Sequence, residues 1–351
     1  MLERVIQDIK PLCDKTMKQA QKRVDNLIKP EGSLGKLESY YVQLCGIQRT
    51  VKPSTANKAV IVMASDHGVF EEGVAVSPRP VTMVQAINMT RGLTGVCALS
   101  KAAGAEVVVV DVGIDADMSG TGVIDRKIMP HGSNNLAKGP AMTRQEAIKV
   151  LETGIEMAHE KIDQGSRLIG IGEMGIANTT PSSAIVSVIT GTDPSIVTGP
   201  GANLPKAQVG HKANVIKRSI ALNCPNREDG VDILSKVGGL DIGGMAGVIL
   251  GCASRQVPVI IDGFIALAAA LIAVKISPQV RGYLIPSHRS MEPGARIASK
   301  FLELDPPLAM DMRLGEGTGA ALMFGILEAA VQMEQHMVSF DEGGFTLPPA
   351  K

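Results

Sequence analysis

The chain has 351 residues, 45% of them hydrophobic and 20% charged, with 35 basic and 35 acidic side chains that cancel. This length exceeds the usual single-domain range and the composition fits a soluble protein with a sizeable core, while a net charge of +0 offers no basic field to nucleic acid or an anionic membrane. The start (Met1-Leu2-Glu3-Arg4-Val5) is charged rather than signal-like, the apolar stretch 264–274 is too short to span a bilayer, and Cys13, Cys45, Cys97, Cys224 and Cys252 are isolated, so a cytoplasmic protein with free thiols is expected.

Residues 1–28 are polar and helix-prone. Continuous apolar runs follow at 59–64, 106–111, 167–172, 257–262 and 282–286, with a weaker one at 195–198. Such runs, unlike alternating ones, predict strands covered on both faces. Helical patterns lie between them near 80–103, 143–163, 206–221, 241–255, 263–276 and 293–303. The repetition predicts an α/β fold, a doubly wound, mostly parallel Rossmann-like sheet with right-handed crossovers. Ala320 to Val338 reads as one long helix. Segments 1–28 and 320–351 are expected to form a small helical subdomain or dimer layer beside a large α/β catalytic domain at 29–319. The tail at 343–349 reads as irregular.

Two glutamates stand among glycines. Gly315-Glu316-Gly317 lies within Arg313-Leu314-Gly315-Glu316-Gly317-Thr318-Gly319-Ala320-Ala321 and opens the last helix. Gly172-Glu173-Met174-Gly175 continues to Ile176-Ala177-Asn178-Thr179-Thr180 after the third main strand. An acid flanked by glycines has nothing beside it to cover its charge. Glycines let backbone approach a ligand, and a helix start offers free N–H groups to an anion. Asp66-His67-Gly68, Asp262-Gly263 and Ser287-His288-Arg289-Ser290 also follow predicted strands, and open parallel sheets bind ligands at the carboxyl ends of strands. Taken singly, each is as readily a loop or a cap.

Other patterns have competing readings. Gly170-Ile171-Gly172-Glu173-Met174-Gly175 matches the dinucleotide fingerprint G-x-G-x-x-G, which opens an NAD-dependent oxidoreductase reading. Against it, Glu173 would set a negative charge beside the pyrophosphate, and no acidic residue closes a following strand at the expected offset. Asn178-Thr179-Thr180-Pro181 reads equally as a helix cap or a phosphate seat. Lys212, near Lys206 and Lys217, reads by default as a solvated lysine. Six scattered histidines without HxxxH or HExxH predict no metal, and no cofactor is expected. No G-x-S-x-G supports a hydrolase triad.

Six motifs occur in a fixed order: Asp66-His67-Gly68-Val69, the 172–180 run, Gly239-Leu240-Asp241-Ile242-Gly243-Gly244-Met245-Ala246-Gly247, Asp262-Gly263-Phe264, Ser287-His288-Arg289-Ser290 and the 313–319 run. In these the chain resembles the nicotinate-nucleotide–dimethylbenzimidazole phosphoribosyltransferase (CobT) family, from about Lys29 to the Ala320 helix. The resemblance implies transfer of ribose phosphate from nicotinate mononucleotide to an aromatic acceptor, giving an α-ribotide for cobamide synthesis. It implies Glu316 as the base that takes the acceptor's proton, and Glu173 as a second functional glutamate beside C1′ or the ribose. The donor phosphate is then expected on backbone around Gly175, Ala177, Asn178 and Thr179, completed by Lys212 and Ser290. Gly315, Gly317, Asp66 and His67 are expected around the substrates.

The chain departs from the family in the acceptor stretch, usually Gly-Val-Ser-Ala-Phe-Pro followed by Gln-Met. Here it reads Gly73-Val74-Ala75-Val76-Ser77-Pro78, then Met83-Val84-Gln85. The polar Ser and Gln thus read as Ala75 and Val84, which favours phenol or p-cresol over 5,6-dimethylbenzimidazole. Relatives of that kind pair two paralogous chains, so a homodimer or a heterodimer is expected, this chain being the catalytic partner. A non-catalytic paralogue is the alternative.

Overall fold

The computed structural model describes residues 1–344 of the chain; residues 345–349 of the expected irregular tail lie outside them. The elements run in chain order α1 (Leu2–Asp8), α2 (Asp14–Asp25), α3 (Lys36–Gln48), β1 (Lys58–Ser65), α4 (Val81–Thr90), α5 (Gly95–Ala102), β2 (Ala105–Gly113) and β3 (Ile124–Asp125). They continue as α6 (Arg144–Asp163), β4 (Leu168–Met174), α7 (Thr179–Thr190), α8 (Pro194–Val197), α9 (Lys206–Asn223), α10 (Gly230–Val237) and α11 (Leu240–Ser254). The last are β5 (Val259–Ile261), α12 (Phe264–Ile276), β6 (Leu284–Pro286), α13 (Pro293–Phe301) and α14 (Thr318–His336).

The six strands form one parallel sheet in the order β3-β2-β1-β4-β5-β6, the doubly wound Rossmann order expected from the strand–helix repetition. Its strands are apolar on both sides because both sides are covered. Ile61, Met63, Val108, Val110, Ile169 and Ile171 join a core with α6, α7, α10, α11 and α12. Val60, Val62, Val109, Leu168 and Ile260 join a second core with α2, α3, α4, α5 and α14. Of the terminal helices, α1 packs on α6 and α11, whereas α2 reaches α14 through Arg23 Nε, 3.0 Å from Glu334 Oε1.

Two sequence-based expectations change and one strand is added. The weak run 195–198 is helix α8, not a strand: Pro194 sits in its first turn and the Asp193 carboxylate accepts from Ser195 N–H at 2.9 Å. The helical stretch 80–103 is two helices, parted near Gly92, whose φ of 76° is left-handed. The two-residue strand β3 has no apolar run to announce it and takes its pairing from β2.

The glycines of the 239–247 motif serve packing. A Cβ at Gly247 would overlap the Leu151 carbonyl and one at Gly243 would lie 2.5 Å from Val150 Cγ1, so α11 and α6 meet backbone to backbone. Asp241 of that motif turns toward the site, where its Oδ2 accepts from Asn178 Nδ2 at 3.1 Å.

Candidate active site

The chain order of the strands reverses between β1 and β4, so the loops beyond their carboxyl ends diverge there and leave a crevice. β4 carries Glu173 as its last residue but one at this point, and β1 delivers Asp66 and His67 just after its own end. Glycines 170 and 172 of the dinucleotide-like pattern face protein, not a pyrophosphate. A Cβ at Gly170 would lie 2.8 Å from the Ala320 methyl, and one at Gly172 would overlap the Glu316 carbonyl. They seat the loop that carries the other glutamate, which sets aside the oxidoreductase reading.

That loop is three consecutive left-handed residues: Gly315 (φ 85°), Glu316 (φ 64°) and Gly317 (φ 97°). Two glycines adopt this conformation at little cost; Glu316 does so with strain that the surroundings hold. Holding comes from Asp262, at the end of β5, which accepts from Gly317 N–H at 3.1 Å and Gly319 N–H at 2.7 Å and so caps α14 from a different strand. Glu316 in turn caps α5, accepting from Val96 N–H on Oε2 at 3.1 Å, since Thr94 makes no side-chain cap of its own. Among the described residues its Oε1 makes no hydrogen bond. Burial pushes the Glu316 carboxyl up, and the α5 amide together with Thr94 opposes that shift.

Glu173 sits deeper. Its Oε1 accepts from Glu316 N–H at 3.3 Å and its Oε2 from Asn178 Nδ2. The same Asn178 amide donates to Asp241 Oδ2 at 3.1 Å. Burial first, and then the neighbouring Asp241 carboxylate, push the Glu173 carboxyl up to about 8. Both causes favour the protonated, neutral form of this carboxyl.

Thr179, Lys212, Ser290 and Glu292 gather at another part of the cavity. Thr179 opens α7, and its hydroxyl accepts from Lys212 Nζ at 2.7 Å. Lys212 is buried rather than solvated, donates also to the Gly199 carbonyl at 3.3 Å, and burial lowers its ammonium to about 8. Ala177, with φ 77°, makes the turn that points the start of α7 at this place. Ser290 and Glu292 close it from the loop after β6.

Glu173, Gly175, Ala177, Asn178, Thr179, Ser290, Gly315, Glu316 and Ala75 all line one cavity of about 230 Å³. Lys212 touches it through Thr179, and Gly317 is bound to Asp262 instead. His67 lies behind the wall, fully buried, its Nε2 3.3 Å from Asp241 Oδ1. Asp66 accepts from Asp115 N–H at 2.9 Å and faces Arg79. Val84 is a correction. It is 46% exposed and absent from the wall, because Val81 and Gln85, one helical turn apart on α4, face inward. Gln85 and Ser77 bring polar groups to the cavity wall beside Val74 and Ala75. Asp262 lines the cavity, as its place after a strand led one to expect, whereas sequence reasoning missed Asp241 and Glu292 as site residues. Asp241 stood inside a quoted motif, and an acid in an otherwise apolar and glycine run was the available signal. Glu292, at a helix start, carried none.

A family model described as Phosphoribosyltransferase matches residues 9–345. The chain is 52% identical over 347 residues to the nicotinate-nucleotide–dimethylbenzimidazole phosphoribosyltransferase of Alkaliphilus metalliredigens, covering 99% of each. It is 54% identical over 342 residues to that of Clostridioides difficile, covering 97% of this chain and 98% of the relative. The crystal structure of the Thermus thermophilus enzyme of the same name superposes with a TM-score of 0.91 at 36% identity, over 96% of this chain and 100% of that one. With identity above one half along nearly the whole length and a solved fold that superposes on this one, the chain belongs to the nicotinate-nucleotide–dimethylbenzimidazole phosphoribosyltransferase family.

Proposed function

We propose that this protein transfers the phosphoribosyl group of nicotinate mononucleotide to a benzimidazole-type base, releasing nicotinate and forming an α-ribotide for cobamide synthesis. The observation that carries the reading is one cavity with an anion seat at Thr179, Lys212 and Ser290 and two buried glutamates at its other end. The phosphate rests on the start of α7 and on Lys212. Nicotinate leaves as a neutral pyridine nitrogen takes back its bonding pair, so departure needs no acid. The acceptor nitrogen attacks C1′ and gives its N–H proton to Glu316 Oε1, the oxygen not engaged by α5. Glu173 faces the sugar; a bound pyridinium cation favours its ionised form, which then stabilises positive charge developing at C1′.

Ser77 and Gln85 favour benzimidazole, because its second ring nitrogen takes a hydrogen-bond partner from the acceptor wall. The apolar pair Val74 and Ala75 favours phenol or p-cresol as a second acceptor class. The protein is read as working as a homodimer, or as a heterodimer with a paralogous chain. Among the described residues no helix is long and apolar enough to cross a membrane.

The test supplies nicotinate mononucleotide with dimethylbenzimidazole and p-cresol in competition and identifies products by mass spectrometry. Benzimidazole ribotide as the main product is expected. Exclusive cresol ribotide would reverse the acceptor assignment, and no ribotide from either acceptor, alone or with a paralogous chain, would remove the transferase reading.

A further inference from the structure

Glu292 is out of place in an anion seat. It precedes α13, is 7% exposed and lines the cavity beside Ser290. Its Oε1 accepts from Gly201 N–H at 3.0 Å, while its buried Oε2 has no hydrogen-bond partner. A Cβ at Gly199 would overlap this carboxylate, and Gly199 O is also the acceptor 3.3 Å from Lys212 Nζ. Lys212 is the charged group that acts on Glu292 from α9. The other surroundings are uncharged: Thr179 from α7 beside Gly201, and Phe264 of α12 with the Val197 carbonyl of α8 around Gly294. His288 and Arg313 line the same cavity.

A phosphate dianion held on the neighbouring ammonium disfavours the charged form of this unpartnered carboxylate. Like charges at close range disfavour the ionised form, and burial already raises the Glu292 carboxyl. Protonated, the same oxygen becomes a donor, and a phosphate oxygen is the acceptor it lacks.

Building on the reading of this cavity as a nucleotide-donor site, we propose that Glu292 is a proton-linked part of the phosphate seat. When a phosphate monoester dianion binds at Lys212, Glu292 Oε2 takes one proton from solvent, an O–H bond forms, and that hydroxyl donates to a phosphate oxygen. The Gly201 N–H bond to Oε1 persists. The seat thereby couples binding of the anion at Lys212 to uptake of a proton at Glu292.

Isothermal titration calorimetry of nicotinate mononucleotide near pH 7, in buffers of different ionisation enthalpy, counts the protons exchanged on binding. The wild-type protein is expected to take up about one proton more per donor than Glu292→Gln, a difference in which shifts at Lys212 and Glu173 largely cancel. The variant should bind donor within about threefold of wild type, as glutamine keeps an acceptor for Gly201 and offers a donor to phosphate. Equal proton counts overturn the proposal, and so does a folded Glu292→Gln protein that no longer binds donor. If that variant does not fold, ribose 5-phosphate titrated into wild type gives the count without a pyridinium, and zero uptake overturns it. A wild-type protein that binds neither ligand overturns the donor-site reading itself, a result distinct from binding without proton uptake.

Discussion

The backbone of Glu316 donates its N–H to the carboxyl of Glu173 at 3.3 Å, so one glutamate is held by the main chain of the other. The side chain of Glu316 points elsewhere, to the start of α5. Exchanging that side chain therefore leaves the Glu173 contact and the phosphate seat in place. Glu316→Gln is expected to lower kcat by about 10²–10⁴, the usual contribution of a positioned base, with donor affinity nearly unchanged. Steady-state kinetics with donor titration checks this; turnover close to wild type would remove Glu316 as the base.

Glu173 makes stability depend on pH with a definite sign. Its carboxyl titrates at about 8 in the folded protein against roughly 4.3 in an unfolded chain. The folded state therefore keeps a proton that the unfolded state has lost. The stabilisation is complete below the unfolded value and disappears as pH rises through about 8. Urea unfolding at several pH values between 5 and 8 should show wild type losing stability relative to Glu173→Gln, by at most about 1.4 kcal/mol per pH unit. Parallel curves for the two proteins would mean that Glu173 is ionised throughout.

The left-handed run at 315–317 tolerates no added side chain at its third position. Gly317 has φ 97°, and a Cβ there would lie 2.6 Å from Val60 Cγ1. Strain and overlap together should cost Gly317→Ala about 2–4 kcal/mol. Activity should fall beyond what the stability loss explains, because the same change displaces Glu316. Calorimetric melting paired with kcat separates the two effects; a variant with native melting and turnover would show that the loop relaxes.

Acceptor choice should follow the polar side chains of the wall formed by α4 and the loop before it. Gln85→Leu combined with Ser77→Ala is expected to lower kcat/KM for dimethylbenzimidazole relative to p-cresol by about tenfold, the worth of one hydrogen bond. An unchanged ratio in the product mixture would place the second ring nitrogen elsewhere.

The sheet was readable from sequence because its strands are unbroken apolar runs, and β1 and β4 match them nearly residue for residue. Glu173 and Glu316 were readable because glycines beside an acid mark places where backbone must come close. What was hidden is which glycine serves which neighbour. Gly170 and Gly172 look like a nucleotide fingerprint until the Ala320 methyl and the Glu316 carbonyl are seen against them. Register on a short helix was hidden for a similar reason. Val84 and Gln85 are adjacent in sequence and point to different sides of α4, and no periodic pattern in the segment says which faces the acceptor. Lys212 looked solvated among polar residues; only packing of α9 on α7 buries it.

The seat that Gly170 and Gly172 provide for residues 316–320 also bears on how the protein is made. β4 is a central strand, yet one side of it is cut to fit a segment that leaves the ribosome on the order of 10 s later. Until then the nascent chain carries an uncovered, glycine-notched strip of sheet, a surface for a chaperone or for a stray strand. The candidate site is complete only once residues 316–320 have been added to the sheet. A chain that stops short of α14 would present bare strand to the cell rather than a weakened enzyme.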